Sequence, residues 1–405
     1  MIELNTNPQV ISEIMTRGVA TVLPSAAGLT KLMAERPIKL FLGIDPTGAF
    51  LHLGHMVALR KLRQFADAGH QVVLLIGNAT VKIGDPTGRD SARPVLTETE
   101  IEANFASWKA QAAKVLDFTK IEIVRNGDWL DALKFDDLVK LMAKTTVQQL
   151  IERDMFQDRL KNGLPIFGHE ILYPLLQGYD SVAMNVDLEI GGTDQTFNML
   201  MGRQLQEVYN HHEKWVLTTP IINGLDGRKM SKSFHNFVAL TEPAIDMYAK
   251  LMQVADEQII EYFQLLTDLS LIEISTIEAQ IKSGANPMEF KKQLALSITS
   301  QLHDPETASE AAEHFKTVIQ DRAIPSDLAT FSATKPEITV LEAIKLGAPE
   351  FSNSEVRRLL DQNSVSLFQS QTDAGTKLLD PNQLLKLTQS VILKVGKKRW
   401  FKVIA

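Results

Sequence analysis

Two histidines, His52 and His55 in LHLGHMVALR, stand three residues apart where a helical pattern begins. At that spacing both rings share one side of the helix start, and a helix N-terminus favours anions, so the pair suits phosphate. A simple helix-capping pair would have the same spacing. Gly54 between them leaves backbone that a planar base or a ribose can approach closely. A second cluster, DGRKMSKSF at 226–234, puts Lys229 and Lys232 with Ser231 and Ser233 in a glycine-flanked loop. Flexible ammonium groups of this kind can hold a triphosphate and offset charge building on a departing pyrophosphate. A solvated basic turn would share that composition. A third set is Tyr173, Gln177 and Asp180 in YPLLQGYD. Steps of four and three residues put a phenol, an amide and a carboxylate on one helical face, where they can line a cavity; an ordinary polar face has the same pattern. The chain has no cysteine, which excludes thiolate nucleophiles, disulfides and Cys-ligated zinc or iron–sulfur clusters.

Such groups need elements to position them. Residues 8–18 and 25–36 read as short amphipathic helices, the first stopping at Gly18 and the second before Pro37. IKLFLGI at 38–44 is a run of strand formers, followed by the loop DPTGAFLHLGH and a helical pattern ending at Gly69. QVVLLIG at 71–77 follows without a hairpin turn and leads to a loop with Gly84, Asp85, Pro86 and Gly88. A helix is predicted over 98–117, a strand over 121–126, one or more helices over 135–161 and a helical run within 164–184. VDLEIGG at 186–192 reads as a strand, 194–208 as a helix and WVLTTP as a further strand. This alternation predicts a doubly wound α/β domain with a parallel sheet, whose ligands gather beyond the strand ends. After residue 240 apolar residues recur at helical spacing to about 323, and the Pro, Ser and Thr of IPSDLATFSATKPEITV read as a linker. In the last stretch LEAIKLG, SNSEVRRLLDQN and NQLLKLTQS alternate with SVSLF and SVILKVG, predicting a small α+β module.

Together HLGH and KMSKS resemble the paired signatures of class I aminoacyl-tRNA synthetases. FLGIDPTGAFLHLGH, GNATVKIGDPTG, YPLLQGYD and IGGTDQ are similar to active-site segments of the bacterial tyrosyl enzymes, and the likeness runs through 30–240 and resumes at the tail. The tryptophanyl enzymes share the catalytic fold but do not usually carry such a tail. The resemblance implies a Rossmann-like catalytic domain that forms tyrosyl-adenylate and pyrophosphate from L-tyrosine and ATP, then transfers the tyrosyl group to the 3′ end of tRNA(Tyr). It implies that His52, His55, Lys229 and Lys232 bind ATP and stabilise the transition state. Gly43, Asp45, Thr47, Gly54, Gly192, Asp194, Met230 and Ser231 would complete the nucleotide side, with Asp194 an acceptor for ribose hydroxyls; by sequence alone it could equally be a helix N-cap. Tyr173 and Gln177, helped by Asp85, would meet the substrate ammonium, Asp180 would accept from its phenolic hydroxyl, and Gln195 would lie near its carboxyl group. Phe41 stands where many members have a tyrosine that gives that hydroxyl a second hydrogen bond, and it can offer only an apolar wall. Mg2+ is expected with ATP, and no structural metal. A carboxylate is already a competent nucleophile, so positioning and organised charge carry the rate.

The segment 382–405 holds Lys386, Lys394, Lys397, Lys398, Arg399 and Lys402 with no acidic residue, and Trp400 and Phe401 adjoin its densest basic part. Cations attract phosphate and an exposed aromatic can stack on an unpaired base, although the aromatics could equally anchor a small core. SNSEVRRLLDQNSV and VILKVGKKR resemble the S4-type RNA-binding domain of bacterial tyrosyl enzymes, which implies RNA contacts from Arg357, Arg358, Lys394, Lys397, Lys398 and Arg399. The formal charge of −7 over 405 residues therefore averages a body of −13 at 1–381 and a tail of six basic residues. Expected divisions are a catalytic domain over 1–225, the KMSKS loop and junction at 226–240, a helical anticodon-region domain at 241–323, a linker at 324–338 and an S4-like domain at 339–405. The resemblance also implies a homodimer to which 125–185 contributes, with one tRNA spanning both subunits. No run approaches the length of a membrane span and the N-terminal stretch lacks signal-peptide features, so a cytoplasmic protein without membrane contact is expected.

Overall fold

The computed structural model describes residues 4–87, 96–228, 230, 236–320, 324, 328–370, 375–396 and 399–405. The chain forms two compact units, 1–308 and 309–405. The first is built on six strands: β1 Thr21–Leu23, β2 Lys39–Ile44, β3 Gln71–Ile76, β4 Ile121–Arg125, β5 Leu188–Gly192 and β6 Trp215–Thr219. Their order is β1-β6-β5-β2-β3-β4, with β2 to β6 parallel and β1 antiparallel to β6. The short edge strand β1 was not among the predicted elements; its three residues pair with Thr218, Leu217 and Val216. The inner strands are buried apolar runs, as a sheet covered by helices on both faces requires. The doubly wound topology predicted from the alternation is present. Strand order reverses between β2 and β5, and the crevice beyond their C-terminal ends is where such a sheet takes a ligand.

Two helices flank that crevice, Gly168–Met184 and Thr196–Asn210. They cross at glycines: a Cβ on Gly178 would lie 2.9 Å from Leu205 Cδ1 and 3.1 Å from the backbone nitrogen of Gly202. A third helix, Leu53–Asp67, runs from the histidines toward the helical part of the unit. There the buried Arg60 donates to the Thr267 carbonyl and, at 2.6 Å, to Asp268. Arg17 donates to the same carbonyl at 2.5 Å and to Leu269 O at 2.7 Å, and Lys61 donates to Ile14 O and Arg17 O, each at 2.6 Å. These cations satisfy carbonyls at and just beyond the C-terminal ends of helices Ile259–Leu266 and Pro8–Thr16, where orphan acceptors and the negative helix pole favour them. Helices Ala244–Leu251, Ile259–Leu266, Leu271–Lys282 and Pro287–Leu302 thus share one compact unit with the sheet, where the helical spacing of apolar residues predicts a domain of their own over 241–323.

The second unit contains strands β7 Thr330–Ser332, β8 Glu337–Thr339, β9 Val365–Phe368, β10 Thr376–Lys377, β11 Leu384–Lys386, β12 Val391–Val395 and β13 Arg399–Ile404. Five form a sheet in the order β10-β9-β12-β13-β7, and β11 pairs with β8. Two readings change here. The predicted linker at 324–338 supplies β7 and most of β8, because turn-forming residues mask two short pairing segments. NQLLKLTQS, grouped by sequence with the helical segments, contributes β11: Leu385 and Leu387 are buried while Leu384 is 59 % exposed, a period of two that follows from pairing with Glu337–Thr339. Helices Val340–Gly347 and Asn353–Asp361 begin with Thr339/Glu342 and Ser352/Glu355 capping boxes and bury Ile344, Val356 and Leu360 against Leu393, Phe401 and Val403.

Candidate active site

A cavity of about 390 Å³ opens at the β2/β5 crevice. Strand β2 and the loop and helix start after it contribute Phe41, Gly43, Asp45, Thr47, His52, Gly54 and His55. The loop after β3 contributes Asp85, helix Gly168–Met184 contributes Tyr173, Gln177 and Asp180, and the end of β5 contributes Gly192, Asp194 and Gln195. Met230 closes the set. The remaining predicted residues of the lysine loop, Lys229, Ser231 and Lys232, lie outside the described residues.

The histidines cap the helix and line the cavity at once, so the two sequence-level readings are one arrangement. His52 Nδ1 accepts from Gly54 N at 3.1 Å, and His55 Nδ1 accepts from His52 N at 3.2 Å. The ring centroids are 4.0 Å apart. A neutral imidazole whose Nδ1 accepts carries its proton on Nε2, so capping selects the tautomer in which Nε2–H is the donor. A Cβ on Gly54 would lie 2.9 Å from His52 Nδ1 and Cε1, so this glycine also makes room for the His52 ring. Asp194 sits in the turn Thr193–Gln195, and the helix that follows starts without a side-chain cap, so it does not take the N-cap alternative.

On the other side of the cavity Tyr173 Oη donates to Asp45 Oδ2 at 2.9 Å, and Thr80 Oγ1 donates to Asp45 Oδ1 at 2.8 Å. A Cβ on Gly77 would collide with both the Asp45 carboxylate and the Thr80 hydroxyl, which accounts for glycine there. Burial pushes the Tyr173 phenol well above its ordinary range and the Asp45 charge adds to it, so Tyr173 stays a protonated donor. Gln195 Nε2 donates to Asp85 Oδ2 at 2.8 Å, and Arg153 stands 4.0 Å from Asp85 Oδ1. Asp180 accepts from Trp129 Nε1 at 2.8 Å and from Asn126 Nδ2 at 3.2 Å. Burial pushes its carboxyl well above the usual carboxylate range, and the two donors oppose that shift. Phe41 is fully buried against Val73, Leu75, Met184 and Val186 and also lines the cavity.

Sequence reasoning missed Asn126, Trp129, Glu189 and Lys214. Asn126 stands just past the end of β4, a place where a parallel sheet gathers ligand-side groups, and that signal was available. Glu189 lies within β5 and donors reach it from two sides: Gln177 Nε2 at 3.0 Å, and Lys214 Nζ in a buried ion pair. Lone charges beside or within apolar runs gave no pattern to read.

In the second unit Phe401 belongs to the core at 1 % exposure, while Trp400 packs on Phe368 with ring centroids 5.1 Å apart and Lys394 Nζ 4.8 Å from its own centroid. Arg399 pairs with Glu350 and covers the Phe351 ring. Arg357 and Arg358 are exposed on helix Asn353–Asp361, and Lys397 and Lys398 lie outside the described residues.

Residues 33–320 match a family model described as tRNA synthetases class I (W and Y). The tyrosine–tRNA ligase of Thermotoga maritima is 40 % identical over 398 residues, 98 % of this chain and 98 % of the relative. That of Symbiobacterium thermophilum is 42 % identical over 400 residues, 97 % of each. Among solved structures, a C-terminally truncated mitochondrial tyrosyl-tRNA synthetase of Aspergillus nidulans gives a TM-score of 0.66 at 21 % identity over 76 % of this chain and 94 % of that one. A tyrosyl-tRNA synthetase of Archaeoglobus fulgidus complexed with L-tyrosine gives 0.59 at 20 % identity over 76 % and 100 %. At such identities the structural likeness speaks for the fold.

Proposed function

The chain belongs to the tyrosyl-tRNA synthetases of class I, which activate tyrosine with ATP and transfer it to tRNA(Tyr), and we infer that the cavity between β2 and β5 is where it does so. The supporting observation is convergence. The capping histidine pair and the Tyr173, Gln177 and Asp180 face, far apart in sequence, line one cavity, with Asp45 lining it too and accepting a hydrogen bond from Tyr173. A tyrosine carboxylate oxygen attacks the α-phosphorus of ATP, the bond from that phosphorus to the bridging oxygen breaks, and pyrophosphate leaves. A ribose hydroxyl at the tRNA 3′ end then attacks the acyl carbon and AMP leaves. In the first step the Nε2–H groups of His52 and His55 donate to phosphate oxygens, and Lys229 and Lys232 offset charge on the departing pyrophosphate. Gly43, Thr47, Gly54, Gly192 and Met230 form the nucleotide side with Ser231, and Asp194 accepts from the ribose. Mg2+ enters with ATP as part of the substrate.

Tyr173, Gln177 and Asp85 take the ammonium group of tyrosine, Gln195 borders its carboxylate, and Asp180 accepts from its hydroxyl while Phe41 walls the ring. The homodimer reading is supported by exposed apolar residues at 125–185, among them Phe135 at 79 %, Val147 at 60 % and Leu160 at 51 %. The S4-like second unit contacts RNA through Arg357, Arg358, Lys394 and Arg399 together with Lys397 and Lys398, and the protein works in the cytoplasm. No described helix is long and apolar enough to cross a membrane. Tyrosine-dependent exchange of pyrophosphate into ATP followed by charging of tRNA(Tyr) tests the assignment. His52→Ala and His55→Ala are expected to depress exchange without unfolding the protein, and full exchange in both would remove the histidines from the site.

A further inference from the structure

Below the amino-acid end of the cavity lies a buried charged chain that the activation chemistry does not use. Lys214 is fully buried and Glu189 is 1 % exposed. The Lys214 ammonium pairs with Glu189 Oε2 and donates to Ser181 Oγ at 2.7 Å and Met199 O at 3.2 Å, which uses its three protons. The other carboxylate oxygen, Oε1, accepts from Gln177 Nε2 at 3.0 Å, while Gln177 Oε1 is buried and has no hydrogen-bond partner among the described residues. An ionised carboxylate can only accept, so it holds the NH2 end of the amide toward itself and leaves the oxygen as the end that meets a donor. A buried acceptor without a partner in a cavity wall is where a ligand's donor counts most.

We propose that Glu189 and Lys214 are positioning residues that lock the side-chain amide of Gln177 with its oxygen available to the ammonium group of tyrosine. The proposal rests on Gln177 being part of the tyrosine site. Lys214 supplies the counter-charge that lets a carboxylate sit in this desolvated place. A protonated Glu189 could donate to Gln177 Oε1, the amide would turn over, and its NH2 would then face the substrate ammonium, donor against donor.

Lys214→Met tests this with two ligands measured by equilibrium binding, L-tyrosine and 3-(4-hydroxyphenyl)propionate, which lacks the ammonium group. The Kd for tyrosine is expected to rise about tenfold or more, while the Kd for the propionate and the KM for ATP stay within about twofold. The double variant Glu189→Leu/Lys214→Met removes both charges and leaves no donor at 189 to hold Gln177 Oε1, so the amide is free to offer its oxygen and much of the tyrosine affinity is expected to return. Equal weakening of both ligands, or no recovery in the double variant, would mean that the pair serves only packing and would overturn the proposal. Should Lys214→Met fail to fold, Glu189→Gln carries the comparison: its carbonyl oxygen would face Lys214 and its NH2 would donate to Gln177 Oε1, so a rise in the Kd for tyrosine alone supports the proposal, and an unchanged Kd for tyrosine or equal weakening of both ligands overturns it. Gln177→Met separates the two levels of inference. If it leaves tyrosine affinity unchanged, the placement of Gln177 in the tyrosine site fails; if it weakens tyrosine binding and Lys214→Met does not, the positioning role alone fails.

Discussion

Replacing Asp180 with alanine is expected to erode the choice between tyrosine and phenylalanine rather than to slow both amino acids alike. Asp180 is 2 % exposed and already accepts from Trp129 and Asn126, so its spare acceptor capacity lies in a desolvated place. Tyrosine brings a hydroxyl to it and phenylalanine does not. A hydrogen bond to a charged acceptor contributes about 1.5–3 kcal/mol, so the ratio of kcat/KM for tyrosine to that for phenylalanine should fall roughly 10- to 150-fold. The variant also leaves the Trp129 indole N–H and one Asn126 proton without their acceptor. That costs about 1–3 kcal/mol of stability per fully orphaned donor, but Asn126 still reaches Thr80 Oγ1 at 3.0 Å, and the loss is common to both substrates and cancels in the ratio. Steady-state pyrophosphate exchange with each amino acid at saturating ATP measures the ratio, and a thermal melt shows that the protein is folded. If both kcat/KM values drop by the same factor, Asp180 does not read the hydroxyl and the assignment of that end of the cavity is wrong.

The direction of the Asp180 shift gives a second expectation. Burial raises the pKa of its carboxyl in the free site, so on acidification it takes up a proton earlier than an exposed aspartate; kcat/KM for tyrosine should fall at a pH above the usual carboxylate range, and that limb should be absent in a pH series on Asp180→Ala. His70 bears on stability: it is 5 % exposed, and burial lowers its pKa from 6.5 to about 4. The unfolded chain binds this proton from pH 6.5 downward and the folded one only near 4, so the contribution is whole above 6.5 and is lost as pH falls through that window, roughly 3 kcal/mol at its end. Urea titrations at pH 7, 6, 5 and 4 should show a shallower acid loss in His70→Gln; parallel curves would mean that His70 does not drive it. Phe135→Asp combined with Val147→Asp should shift the protein toward monomers in sedimentation velocity, and an unchanged mass would take these helices out of the subunit contact.

Legibility followed the range over which each feature is determined. The His52/His55 pair and the Tyr173, Gln177 and Asp180 face were readable because helical periodicity alone puts such residues on one side. The alternating apolar runs gave the parallel sheet, and its switch point gave the crevice. The partners of Asp180 were not readable: Asn126 lies 54 positions from it and Trp129 lies 51, and neither sits in a periodic pattern with it. Segment 382–390 misled for a related reason. Its leucines fit a helical spacing well enough, and pairing with Glu337–Thr339 turned them into a strand.

The amino-acid sequence by itself determined the family, the sheet and the residue types of the site, because hydrophobic period, capping chemistry and glycine positions act over a few residues. Only the tertiary structure decided how those groups are tuned. The Tyr173 contact with Asp45, the donors on Asp180 and the Lys214–Glu189–Gln177 chain arise where parallel strands and two close-packed helices bring distant residues within 3.2 Å or less. In that desolvated crevice a single hydrogen bond sets which end of an amide or which proton of an imidazole is offered, and such energies depend on neighbours that no local stretch of chain contains.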